Sequence, residues 1–154
     1  MRVPTLAKVA ISFSALSLLG AVSCGTRPDA TPKMAAARER PAGEGVICAM
    51  GIYNAVAEVG RRCFPGRDAE FQAELGRTVS RIDDYVLANS GWTSEDLARF
   101  KREQSHVGEP EPIVCSEEMK GFYGHMAATS VETVRTEIDR LLARPGPPTW
   151  GTCL

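Results

Sequence analysis

From Val46 to Leu142 the apolar residues recur every three or four positions, the period of an amphipathic α-helix. In the first segment Cys48, Ile52, Ala55, Val56, Val59 and Cys63 share one stripe, which Arg61, Arg62 and Pro65-Gly66 bring to an end. A second segment puts Phe71, Leu75, Val79, Ile82, Tyr85 and Val86 on one face, with Arg77, Arg81, Asp83 and Asp84 mostly on the other. Asn89-Ser90-Gly91 supplies a glycine stop for it. Thr93-Ser94-Glu95-Asp96 reads as a capping box opening a third helix, with Leu97 and Phe100 inward and an end near Gln104. His106–Pro112 is expected to be a loop, because two prolines and a glycine oppose a helix there. Ser116-Glu117-Glu118 opens the last long stretch, whose apolar positions are Met119, Phe122, Tyr123, Met126, Val134, Ile138, Leu141 and Leu142. Gly121, Gly124 and Thr129-Ser130 weaken its middle, and Thr129-x-x-Glu132 offers a cap for a fresh helix after a bend. Pro145, Pro147 and Pro148 stop it, leaving Thr149–Leu154 as a non-helical tail. The fold this pattern predicts is all-α, a small four-helix up-down bundle spanning 46–154.

The chain before that domain is patterned differently. Arg2 and Lys8 precede the apolar run Val9–Ser23, which ends in small residues, the layout of a bacterial export signal over residues 1–23. The run is shorter than a membrane span of about 20 apolar residues and is interrupted by Ser12, Ser14 and Ser17. Gly20-Ala21-Val22-Ser23-Cys24 resembles the lipobox of bacterial lipoproteins. That resemblance implies that the Cys24 thiol is diacylated and becomes the new first residue, anchoring the protein to a membrane of the cell envelope. Gly25 is not the Asp associated with inner-membrane retention in some bacteria, which leans toward the outer membrane. Ala21-x-Ser23 also fits soluble export, so a periplasmic or secreted protein is the competing expectation. Residues 24–45 carry Pro28, Pro32 and Pro41 among small and charged residues, and read as a flexible tether after the lipidated cysteine, about 25 Å in mean span.

Five cysteines in an exported chain leave one over, and acylation of Cys24 would account for it. Cys48 and Cys63 lie on one helix, about 22 Å apart at 1.5 Å per residue, too far for a disulfide. In an up-down bundle the end of helix one and the start of helix four share one pole, while the start of helix one and the chain end share the other. The expected pairs are therefore Cys63–Cys115 and Cys48–Cys153, persisting in an oxidising compartment.

Removing residues 1–23 takes Arg2 and Lys8 and no acid from 18 basic and 19 acidic residues, leaving a net charge of −3. No basic excess and no aromatic interleaving point to nucleic acid. Catalytic signals are sparse: no Gly-x-Ser-x-Gly elbow, no glycine-rich phosphate loop and no short metal-ligand spacing among Cys63, Cys115, His106 and His125. No catalytic residue, metal or cofactor is assigned. His106 is expected to be solvated in its loop. His125, beside Tyr123 and Met126, is expected to be a partly buried packing residue; a small envelope enzyme using it with a nearby carboxylate is the alternative. Trp150 is expected to plug the pole of the bundle and Trp92 to pack at the staple position before the third helix. Both are also candidate partner contacts, since Trp is enriched at binding hot spots.

The segment from Cys48-Ala-Met-Gly51 to Cys63-Phe-Pro65 resembles small disulfide-containing helical immunity proteins that guard against secreted toxins; the likeness does not extend to the tail. The functional expectation is a membrane-anchored, non-enzymatic protein-binding module of the envelope, with an inhibitor or immunity protein as its sharper form. A ligand-binding bundle with a pocket between helices two and four is a further alternative.

Overall fold

Helix α1 (Val46–Cys63) is apolar on nearly every side, so it needs cover all round. In this computed structural model, which describes residues 41–152, the later helices provide that cover. They are α2 (Ala69–Asn89), α3 (Ser94–Gln104), α4 (Glu111–Val114), α5 (Glu117–Ala127) and α6 (Val131–Leu142). Helices α2, α3, α4 and α5 pack on α1, and α6 packs on α2. The described residues are all-helical, with one isolated β-bridge between Glu44 and Thr149.

The expected stripe on α1 is only part of its buried surface. Cys48, Ile52 and Cys63 are half-buried, whereas Val46, Met50 and Tyr53, on the opposite side, are fully buried. A helix at the edge of a bundle would show one dry face; α1 is enclosed from several directions. Leu75, Ile82, Val86, Val114, Tyr123, Val134 and Ile138 close the core around it. Of the two glycines on α1, Gly60 is the tighter: an added Cβ would stand 2.8 Å from Tyr123 Cε2. Tyr123 stacks on Phe64 with ring centroids 4.8 Å apart, and Phe71 meets it edge-on at 5.7 Å. Its hydroxyl donates to Asp68 Oδ2 at 3.2 Å.

Three local expectations are corrected. The prolines of the 106–112 segment do not exclude a helix: α4 begins at Glu111, with Pro112 in the first turn, where a missing N–H costs no helical bond. Ser130, not Thr129, caps the helix after the bend, its Oγ accepting from Thr133 N at 3.1 Å. Helix α2 ends without a left-handed glycine at Gly91. Instead Asn89 Nδ2 donates to Tyr85 O and Ser90 Oγ to Val86 O, at 2.8 and 2.7 Å.

The Cys63–Cys115 disulfide joins the end of α1 to the α4–α5 junction, with Cα atoms 5.6 Å apart. It closes a 52-residue separation, worth about 4 kcal/mol in the chain-entropy model. Cys48 is also disulfide-bonded, while its expected partner Cys153, like Cys24, the export signal and most of the tether, lies outside the described residues.

Two buried carboxylates are held by arginines nearer the surface. Glu58 pairs with Arg61 at 2.7 Å and with Arg62 at 3.5 Å; Arg62 also donates to Glu109 O. Glu74 on α2 accepts from Arg77 at 2.6 Å and from Arg135 on α6 at 3.0 Å, so one carboxylate ties the two helices together. Burial pushes the Glu74 carboxyl up, but the hydrogen bonds from Arg77 and Arg135 outweigh it and hold it below the ordinary 4.5.

Two predictions follow from this packing. Gly60→Ala is expected to cost about 1–3 kcal/mol by urea denaturation, from overpacking against Tyr123. Gly51→Ala, on the same helix with its nearest neighbours 4.0 Å from the added Cβ, is expected to gain about 0.5–1 kcal/mol. Equal signs for the pair would refute the close approach at Gly60. For Glu74, the lowered folded-state pKa means its ionic contribution is complete above 4.5 and is lost as pH falls through the folded value. Glu74→Gln is therefore expected to be about 1 kcal/mol less stable than the native chain at pH 7, with the gap narrowing as pH falls below 4.5. A gap that widens on acidification would contradict this.

Candidate functional site: an aromatic groove

The capping box at the start of α3 fixes one wall of a groove. Thr93 N and Oγ1 donate to Asp96 Oδ2 at 2.9 and 2.8 Å, and Asp96 N donates back to Thr93 Oγ1 at 3.2 Å. Arg99 donates to the other carboxylate oxygen. Hydrogen bonds from the Thr93 backbone, then its hydroxyl, then Arg99 hold the Asp96 carboxyl down at about 2. The cap places Trp92 just outside the helix, its ring centroid 5.6 Å from that of Phe100.

The opposite wall is the tail. Beyond α6 the prolines bar further helix, and Tyr85 holds the chain: its hydroxyl lies 2.8 Å from Arg144 O and 3.1 Å from Gly146 O. Thr149 N then donates to Gly43 O at 3.0 Å, and Ile47 N donates to Thr149 O at 3.1 Å. The tail thus runs parallel to the entry of α1. Gly43 permits the approach: its φ is +78°, and an added Cβ would stand 2.3 Å from Pro147 O. This clasp sets Trp150 against Phe100, ring centroids 5.8 Å apart.

Between the walls lies a groove of about 480 Å³, with Ile47, Phe100, Trp92 and Trp150 as its apolar surface and Asp96, Arg99, Glu103 and Gln104 as its polar side. That volume falls within the range of binding sites for small molecules and side chains. Phe100 is buried, while Trp150 is 54% exposed. The expectation that Trp150 plugs the pole is therefore corrected: it flanks an open groove. Trp92, half-buried against the core, is the second aromatic of the same site, so the two candidate contacts converge. Phe100 had read only as a core position; it forms the link between them.

The other candidates do not converge. His125 is exposed in the last turn of α5, correcting its expected packing role, and among the described residues it has no hydrogen bond or ion pair with a carboxylate. His106 is exposed, with a left-handed φ of 55°. The disulfide consumes Cys63 and Cys115 as thiolate ligands. An open depression does lie between the start of α2 and the α5–α6 bend, lined by Asp68, Glu70 and Glu132 among others. Those acids oppose the anion affinity that its two helix starts would otherwise give.

Phe100→Ala is expected to cost about 3 kcal/mol and Trp150→Ala about 1 kcal/mol or less, measured by chemical denaturation. The difference follows from burial: Phe100 supports the groove from below, while Trp150 has half its surface to spare. Comparable losses would make Trp150 a structural plug after all.

Compared with protein-family models, curated proteins and solved structures, the chain matches none.

Proposed function

We propose that this chain is an envelope lipoprotein, acylated at Cys24 after removal of residues 1–23, whose helical domain binds another protein without catalysing a reaction. The observation that carries the binding reading is the groove: Trp92 and the largely exposed Trp150 stand on either side of Phe100. An exposed tryptophan fixed by a backbone clasp offers large contact area at little entropic cost, the profile of a binding hot spot. The Cys63–Cys115 disulfide suits an exported protein. Inhibition of a secreted toxin or hydrolase is the sharper form of the reading. The groove volume also favours a second reading, a small apolar ligand in the same place.

The test has two arms. Cys24→Ser is expected to abolish labelling by radioactive fatty acid and to release the protein from the membrane fraction. Unchanged labelling and fractionation would overturn the lipoprotein assignment. The oxidised mature chain, used as bait on envelope extract and on secreted proteins, is expected to retain one stoichiometric partner that Trp150→Ala loses. Recovery of none by the native chain would overturn the protein-binding reading in favour of the small ligand.

A further inference from the structure

The charges around the groove are not balanced. Asp96 has both oxygens engaged, one by its own helix cap and one by Arg99, so the Asp96–Arg99 pair is satisfied and neutral. Glu103, exposed at the groove, has no ion pair among the described residues. The lining therefore carries one unpaired negative charge beside three aromatic rings. Indole rings attract cations through their π faces, more strongly than Phe or Tyr. The apolar surface of Ile47 and Phe100 suits the alkyl stem that carries such a charge.

Resting on the protein-binding reading, we infer that the groove recognises a cationic side chain, arginine or lysine, on an extended segment of the partner. The stem lies along Phe100, the charge stacks on Trp150, and Glu103 supplies the counter-charge. Arginine fits best, because its planar guanidinium stacks on an aromatic ring while also donating to a carboxylate. The recognised partner surface is thus basic, complementary to a mature chain of net charge −3.

The test uses the oxidised mature chain and two short Gly/Ser-rich peptides, one with a central arginine and one with citrulline, its neutral near-isostere. The indole N–H signals of Trp92 and Trp150 report binding by NMR. The arginine peptide is expected to shift both signals saturably and to bind about threefold or more tighter than the citrulline peptide. Glu103→Gln is expected to erase most of that preference without altering the citrulline affinity, and Trp150→Ala to weaken both peptides. Equal affinity for the two peptides, or no indole shift by arginine peptide up to its solubility, would overturn the inference. If the inference fails in this way while Trp150-dependent capture of a partner persists, the protein-binding reading stands without it; if capture fails too, both fall.

Discussion

Surrounding an 18-residue helix on every side takes more apolar cover than one antiparallel neighbour can give, and that demand organises this domain. Helix α1 meets α2, α3, α4 and α5, so the other elements are held largely by what they bury against it. Burial near zero at Val46, Met50, Tyr53, Val56 and Val59 means that the helix has no side on which a change of volume goes unfelt. The enclosure also has a cost. The Tyr53 hydroxyl is buried with no hydrogen-bond partner among the described residues, and burial, followed by the nearby Glu137 charge, pushes its pKa up to about 12. Its ring volume is retained at the expense of an unsatisfied donor.

Away from α1 the cohesion is more polar. Helix α6 leans on α2 rather than on the central helix, and their contact includes both Ile138 in the core and the Glu74–Arg135 pair at its edge. Covalent closure adds what packing alone gives sparingly in a domain of this size, with Cys63–Cys115 holding α1 to the start of α5. The periphery can therefore carry exposed apolar residues such as Ile113 and Phe122 while the centre stays dry.

The helices were legible because their signals are local. Thr93 and Asp96 announce a cap by their spacing, and Ser116 caps α5 where the acids of its first turn pointed. The Cys63–Cys115 pair was legible one level higher, since helix length and bundle topology leave few partners within reach. Enclosure of α1 was not, because a residue such as Gly60 carries no apolar signal, yet its small size is what lets Tyr123 come close. The Thr129/Ser130 offset arose because either hydroxyl fits a capping pattern, and only the backbone decides between them. Trp92 and Trp150 are candidate contacts from residue type alone. That they share one groove depends on the meeting of Gly43 with Pro147 and on two backbone hydrogen bonds, which no periodicity encodes.

That clasp also sets an order of assembly. The groove needs both Ile47 and Trp150, residues near opposite ends of the described chain, so completing it requires a long loop closure. A nascent chain that has already wrapped α1 with its neighbours has a core but no groove until the tail emerges and docks. The groove thus depends on a core already in place, and its presence marks a finished molecule rather than a merely collapsed one.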